Sequence, residues 1–353
     1  MWNKFKNFLP PWVGLLFGLV LCCLITPFFS EQPWHVFKVL VSSAFQSKYD
    51  FGLTLYYVTC LIFTGLSFAI PLRAGLFHIG SEGQLTFSAM VAACLAATSF
   101  IKIDSVFINI SFVFLITLIS GVFAALIIAL FKYFRGSHEV VIAIMLNFIF
   151  SAFSLWVTVN YFQNPNSQNP ESALIPENLQ IFINDPLKIY FEKSPVSLFF
   201  VFAVVCCLML FLIEQKTTWL QKINAYGKNR YASRRHGFSE LQILMTAMGL
   251  AGFFSACAGL TEIFGNSMQY KIGFSPMFGF LGIAVSLLAR QNFLGILFSA
   301  FLMAALHKGA SDLDLETQYL TRDFSKVLQA VIIFSVAGSY YAFNYFSKKR
   351  NKS

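Results

Sequence analysis

Charged residues are scarce in this sequence, and the usual signatures of catalytic and metal centres are missing. Only 12% of its 353 residues are Asp, Glu, Lys or Arg. No Walker A phosphate-binding loop, GxSxG elbow or HExxH pair occurs, and the histidines are dispersed. The five are His35, His78, His138, His236 and His307. We therefore expect that this chain is not an enzyme, hydrolyses no ATP, and has no catalytic residue, metal or cofactor.

Cysteines are missing from the polar parts of the chain. All seven lie within apolar stretches, and this placement excludes a disulfide framework and a CxxC metal site. They are Cys22, Cys23, Cys60, Cys94, Cys206, Cys207 and Cys257.

Apolar residues make up 57% of the chain, which predicts an all-α membrane protein with several crossings. Ten stretches approach the length of a span, and the first is read as a retained span because no cleavage site follows it. Two, 276–289 and 293–306, are short and are expected to be broken helices. The ten are 12–29, 53–71, 84–100, 106–131, 139–160, 195–213, 240–262, 276–289, 293–306 and 327–346.

The distribution of charge predicts an inner membrane protein with both termini in the cytoplasm. With ten spans in this orientation, 16 of the 25 Lys and Arg residues and 4 of the 16 acidic residues lie on the inner side. Short inner loops rich in Lys and Arg follow the positive-inside rule. This rule also accounts for the net charge of +9 without a nucleic-acid partner.

Two loops stand out by composition. The basic loop, residues 214–240, holds six Lys and Arg residues and is predicted to be cytoplasmic, with a short helix closed by Gly237. The proline-rich loop, residues 162–194, is predicted to be extracytoplasmic. Trp34, Phe37, Val41 and Phe45 recur at helical spacing and predict a helix along the outer interface.

Two glycine-rich segments interrupt the apolar pattern, the first at residues 75–84 and the second at residues 273–282. Irregular backbone at membrane depth is tolerated only where protein or a water-filled cavity satisfies its polar groups. Such segments in both halves of a chain are typical of a transport pathway. Helix packing through small residues is the alternative.

Motifs in the same order along residues 60–300 resemble those of permease subunits of ATP-binding-cassette (ABC) importers of the nucleoside and simple-sugar type. These are relatives of the ribose and branched-chain amino acid permeases. TGL at 64–66 and AGLFHIGSEGQ at 74–84 are similar to the family's TGL and AGLFNIGxEGQ signature. EVVI at 139–142, MLN at 145–147 and GIAV at 282–285 resemble further segments. His78 and His138 stand where the family usually has asparagine.

The basic loop resembles the coupling loop through which these permeases dock on a separate ATPase subunit. The residues on the family pattern are Gly227, Asn229, Ala232, Ser233 and Gly237. Arg230, Arg235 and His236 depart from the usual proline, aromatic and alanine, and these differences concern partner specificity.

The resemblance implies a type II-like permease of about ten helices, with one transmembrane domain over residues 1–353. The partners it implies are an ABC ATPase subunit, a second permease subunit, an extracytoplasmic substrate-binding lipoprotein, membrane lipid and a small-molecule substrate. The signature favours nucleosides. The residues expected along the translocation path are Phe77, His78, Gly80, Ser81, Glu82, Gln84, Asn147, Gly279 and Gly282.

Two other interpretations remain. The same architecture fits import of a simple sugar such as ribose, or the chain is a self-sufficient secondary transporter or channel whose basic loop only sets topology. Ionisable residues are absent from the middle of the predicted spans, where proton-coupled carriers place them. This absence favours a driving force supplied by another subunit.

Overall fold

A computed structural model describes residues 2–29, 31–98 and 105–317, together with seven separate positions between 327 and 339. Within these residues the chain consists of helices and turns, and its only β pairing is two isolated bridges. The predicted all-α class is therefore confirmed.

Thirteen α-helices are described, and a π-helical turn, Thr261–Ser267, continues α11. The helices are α1 Trp2–Ile25, α2 Pro33–Ser42, α3 Lys48–Arg73, α4 Ser81–Ala97, α5 Val106–Arg135, α6 Glu139–Tyr161, α7 Pro186–Tyr190, α8 Phe199–Lys216, α9 Thr218–Lys228, α10 Arg230–Arg235, α11 Glu240–Leu260, α12 Phe278–Leu288 and α13 Phe293–Glu316.

Six of the described helices are long and apolar enough to cross a membrane: α3, α5, α6, α8, α11 with its π turn, and α13. The stretches predicted at 12–29, 84–100 and 276–289 correspond to α1, α4 and α12, and of these α4 has 17 residues and α12 has 11, fewer than a full span needs. Most of the stretch predicted at 327–346 lies outside the described residues. The protein is thus a multi-pass membrane protein, and the count of ten stays a prediction.

By its internal contacts the chain divides into two units, residues 1–57 with 301–353 (unit 1) and residues 58–300 (unit 2). In unit 1, α2 confirms the helix predicted from the aromatic spacing. It buries Val36, Val39 and Leu40 and leaves Trp34 exposed. The backbone of Leu40 lies so close to Gly309 of α13 that a Cβ there would overlap it.

Unit 1 also contains a buried ion cluster on α3 and α13. The ammonium group of Lys308, a residue only 5% exposed, lies 3.1 Å from an Asp50 carboxylate oxygen and also pairs with Asp312. The predicted span 293–306 is too short, because α13 continues through these charges to Glu316. Mutual pairing makes their burial tolerable.

Unit 2 has its core where α4, α5 and α11 pack together through small side chains. A Cβ on Gly121 of α5 would lie 2.5 Å from the carbonyl oxygen of Gly252 of α11. Such close backbone approach is how helices associate in lipid, where no hydrophobic force draws them together. Small-residue packing therefore operates in this fold alongside the glycine-rich interruptions.

The proline-rich loop is part of unit 2, and it contains no helix long enough to cross a membrane. It contains α7 and a 3-10 turn at Glu177–Leu179, and Glu171 forms an antiparallel bridge with Lys271. The carboxylate of Asp185, which is buried, accepts from the N–H groups of Leu187 at 2.9 Å and Leu198 at 2.7 Å. This carboxylate joins the loop to the start of α8.

Candidate functional site

The first glycine-rich segment begins between α3 and α4. After α3 ends at Arg73, Gly75 takes a left-handed φ of 73°, and the backbone is irregular until α4 begins at Ser81. A residue with a side chain adopts this φ only at a cost, so Gly75 lets the chain leave the helix.

Residues 268–277, which include the first half of the second glycine-rich segment, are also irregular. Met268 and Met277 take φ values of 52° and 67°, which are uncommon for residues with a side chain. The helix that follows, α12, has only 11 residues. The π turn that precedes the segment was not predicted, since a single extra residue per turn leaves no pattern in composition.

The two segments meet at Glu82 and Gly279. A carboxylate oxygen of Glu82 accepts a hydrogen bond from the N–H of Gly279 at 2.7 Å. A Cβ on Gly279 would overlap the backbone of Glu82. Glu82 therefore joins the start of α4 to the start of α12.

Asn147 of α6 holds the other side of the α4 start. Its amide oxygen accepts from the N–H of Gly83 at 3.0 Å, and its amide nitrogen donates to the carbonyl of Ile79 at 3.0 Å. A Cβ on Gly83 would lie 2.6 Å from the same amide oxygen. One side chain thus satisfies a donor in the first turn of α4 and an acceptor of the irregular backbone before it.

A buried polar cluster lies beside this junction. The Ser67 hydroxyl lies 2.7 Å from that of Ser81 and 2.9 Å from that of Ser255. The Gln84 side-chain oxygen accepts from Ser255 at 3.2 Å and lies 3.2 Å from Nε2 of His78. Among the described residues, Nδ1 of His78 and Nε2 of Gln84 have no hydrogen-bond partner. The cluster therefore keeps unused hydrogen-bonding capacity.

The remaining predicted path residues lie around the cluster rather than in it. Phe77 is 40% exposed and its ring packs edge-on against Phe68, with centroids 5.1 Å apart. Gly80 adjoins the His78 ring, and Gly282 faces Thr64 of α3. His78, Ser81 and Gln84 are thus brought together, whereas Phe77 and Gly282 are not part of the polar cluster.

The basic loop contains the short helix that was predicted. The Asn229 side chain caps α10 by accepting from the N–H of Ala232 at 3.0 Å. At the other end, Gly237 has a φ of 78°, and the N–H groups of Gly237 and Phe238 bond to Arg234 and Ser233 in a Schellman motif. Ser233 is buried, Ala232 is exposed, and the neighbouring Tyr231 is 80% exposed.

The helix α9, which precedes α10, was missed by the sequence analysis. It buries Leu220, Ile223 and Tyr226 on one face. The Tyr226 hydroxyl donates to a carboxylate oxygen of Glu240 at 2.5 Å, and burial raises the pKa of the phenol, which keeps it a neutral donor. This bond ties α9 to the start of α11.

Arg73, at the end of α3, was also missed. It donates to both carboxylate oxygens of Glu214, at 2.6 and 3.2 Å, and to the carbonyl of Gln291. Its guanidinium lies over the ring of Phe293, 4.1 Å from the centroid. A single arginine near the end of a span looks like a topology signal, and so its sequence context gave no hint of these partners.

Membrane-length helices, interrupted segments and a buried polar cluster are the features of a membrane permease. The chain belongs to the family described as branched-chain amino acid transport system / permease component, whose model matches residues 51–337. The resemblance drawn from the glycine-rich signature is confirmed.

Named relatives extend over nearly the whole chain. The nucleoside ABC transporter permease protein NupB of Lactococcus lactis subsp. cremoris (strain MG1363) is 30% identical over 95% of this chain and 92% of its own length. The guanosine ABC transporter permease protein NupP of Bacillus subtilis (strain 168) is 27% identical over 96% of each. The glucose ABC transporter permease protein TsgB13 of Haloferax volcanii is 26% identical over 88% of this chain and 82% of its own length.

A solved inward-facing structure described as of the metal-chelate ABC transporter type is 15% identical, with a TM-score of 0.49. The match extends over 91% of this chain and 98% of the chain in the solved structure.

Proposed function

We propose that this chain is the permease subunit that forms the translocation pathway of an ATP-driven nucleoside importer. The observation that carries the proposal is its near full-length similarity to a nucleoside permease and a guanosine permease. ATP would be hydrolysed by a separate ABC ATPase subunit, with a second permease subunit and an extracytoplasmic lipoprotein completing the importer.

The polar cluster supports an uncharged, hydrogen-bonding substrate. The groups near the junction of the two glycine-rich segments are hydroxyls, amides and an imidazole, contributed by Ser81, Gln84, Asn147 and His78. A nucleoside needs such partners for its ribose and base edges. Nucleotides fit poorly, since within the described residues no group of arginines adjoins this cluster to bind a phosphate.

A sugar importer is the second candidate. The glucose permease relative favours it, and the same hydroxyls and amides would bind a free sugar. We place it second because the two nucleoside-type relatives are more similar and cover more of this chain.

The basic loop supports docking of the ATPase on the cytoplasmic side. Asn229, Ala232, Ser233 and Gly237 build a capped helix that presents Tyr231 outward, and Gly227 lies near the end of the preceding helix α9. The proline-rich loop would face outward for the lipoprotein. Ten spans would place both termini on one side of the membrane, and the charge distribution favours the cytoplasmic side.

The test is uptake of labelled inosine, adenosine and guanosine by cells with and without this gene. We expect uptake to need the gene and to stop when ATP is depleted while the ion gradient is kept. If ribose is taken up, is not displaced by excess nucleoside, and is the only ligand of the partner lipoprotein, the sugar importer is the correct function. Persistence of uptake without ATP would instead support a self-sufficient carrier.

A further inference from the structure

We infer that Arg73 is the positioning residue that transmits movement of the basic loop to α12, and so couples ATP hydrolysis to opening of the pathway. The inference rests on the proposed function. It depends on contacts within unit 2 alone, between the end of α3, the basic loop and the two ends of α12.

One stretch of ten residues holds α12 at both ends. At its start, the side chain of Glu82 accepts from the N–H of Gly279. Past its other end, the side chain of Arg73 donates to the carbonyl of Gln291. Eleven helical residues span about 16 Å, so residues 73–82 connect two points that lie about one helix length apart, one at each end of α12.

The middle of α12 is fixed to the same body. A Cβ on Gly282 would lie 2.6 Å from the Thr64 backbone, and one on Gly65 would lie 3.0 Å from Val285. The later part of α3, residues 73–82 and α12 therefore form one packed piece. Close-packed interiors transmit displacement instead of absorbing it.

The basic loop touches this piece at Arg73 with no side chain between the two backbones. A Cβ on Gly227, near the end of α9, would overlap the carbonyl oxygen of Arg73 and lie 2.9 Å from the nitrogen of Gly75. Because α10 follows α9 after the single residue Asn229, a force applied to α10 reaches Arg73 within one helical turn.

The guanidinium then passes that displacement to three other elements. It is bound to Glu214 at the end of α8, to the Gln291 carbonyl after α12, and to the Phe293 ring at the start of α13. The residue is only 9% exposed, and a two-bond arginine–carboxylate pair fixes direction as well as distance. A buried pair that loses one partner leaves an uncompensated charge, so this connection does not slip readily.

Glu214 has a second connection to the basic loop, through the chain itself. It lies in the last turn of α8, and only Thr217 separates α8 from α9. Arg73 is therefore pulled by α9 from both sides, through Gly227 at its backbone and through Glu214 at its side chain. A residue that only stabilised the end of α3 would not need both of these attachments.

The experiment compares transport with ATP consumption in the complete importer, with permease, ATPase and lipoprotein reconstituted in liposomes and offered inosine, guanosine and ribose. We expect Arg73→Gln to retain at least half of the ATPase rate while substrate moved per ATP falls at least tenfold. In Arg73→Lys the substrate moved per ATP should lie between the values of the wild type and Arg73→Gln, because an ammonium keeps the charge but not the two-bond geometry. Arg135→Gln, at an exposed arginine ending α5, is the matched control and should keep the wild-type ratio.

A purely structural role predicts a different result. Loss of folded importer lowers transport and ATP hydrolysis in proportion, so an unchanged ratio in Arg73→Gln overturns the inference. If Arg73→Gln does not assemble, Glu214→Gln is measured instead, since it keeps Arg73 and removes the charge of one partner. A wild-type ratio of substrate moved per ATP in Glu214→Gln also overturns the inference. Absence of ATP-driven uptake of any of the three probes by the wild-type importer refutes the proposed function instead.

Discussion

At the scale of single residues, side chains in unit 2 serve main-chain groups that a helix leaves without a partner. The first N–H groups of an α-helix have no carbonyl within the helix to receive them. Glu82 accepts from Gly279 at the start of α12, and Asn147 accepts from Gly83 at the start of α4. Because an unpaired main-chain group costs several kcal/mol in hydrocarbon, these two acceptors allow the chain to be irregular inside a membrane.

Substitutions at Glu82 distinguish this structural role from contact with the substrate. Glu82→Ala leaves the buried N–H of Gly279 without its acceptor, at a cost of about 1–3 kcal/mol, so the melting temperature of the purified permease should fall and uptake should drop more than tenfold. Glu82→Gln keeps an oxygen acceptor and should lose less than half of that stability. Glu177→Ala, at an exposed glutamate, is the control for carboxylate removal.

The opposite pattern would contradict the junction role. If Glu82→Ala melts with the wild type while uptake is lost, the carboxylate acts on the substrate, as the sequence analysis supposed.

The residues that could be predicted are those with a local pattern. Glu82 and Asn147 were selected from the signature, but the partner of Glu82, Gly279, lies 197 residues away and no sequence spacing indicates it. Ser67 and Ser255 were missed because a serine inside an apolar stretch looks like helix packing. Their roles arise only when α3, α4 and α11 bring the hydroxyls together.

At the scale of elements, the basic loop is a pair of helices with different faces. The helix α9 buries its apolar side in unit 2, whereas α10 is mostly exposed and carries Tyr231 and Ala232 outward. Exposed tyrosines are typical anchors of protein interfaces, where an aromatic ring fills a pocket of the partner. The pair thus has one helix for attachment to the permease and one for a partner.

Tyr231 is the anchor we expect for the ATPase. Tyr231→Ala should weaken co-purification of the ATPase by at least tenfold, in line with the cost of about 2 kcal/mol for removing an interface anchor. Ala232→Glu should have the same effect by burying a charge in the interface. Tyr161→Ala, at another exposed tyrosine with 66% exposure, is the control.

Both docking variants should still insert in the membrane at the wild-type level. ATPase binding that is unaffected by both would reduce the basic loop to a determinant of topology.

Elements differ in how far the sequence indicates them. The ends of α10 are predictable from the sequence, since asparagine and glycine, here Asn229 and Gly237, are residues that cap helices by known chemistry. The helix α9 was not, because its apolar residues are few and their partners lie in other helices. The π turn after α11 is likewise set by packing around Glu262 and Phe264, both buried, and composition carries no trace of it.

At the scale of the whole molecule, α8 connects the two loops that stand out by composition. The proline-rich loop ends just before it, and α9 begins two residues after it. Its 18 residues span about 27 Å, close to the thickness of the hydrocarbon core. An apolar helix of this length is expected to cross the membrane, which would place the two loops on opposite sides.

The charge distribution predicts the orientation, and cysteine labelling in intact cells tests it. After removal of the seven native cysteines, a cysteine at Lys228, exposed in the basic loop, should be shielded from an impermeant thiol reagent. A cysteine at Gln168, exposed in the proline-rich loop, should react. One at Ser353, outside the described residues, should be shielded if both termini are cytoplasmic, and permeabilised cells should label all three.

Because α8 separates the first two positions by one crossing, labelling of both from outside would contradict that crossing, and a reversed pattern would contradict the orientation. Labelling of Ser353→Cys with Lys228→Cys still shielded would mean that an odd number of spans follows α8, and the ten-span arrangement would then be wrong while the docking side of the basic loop stands.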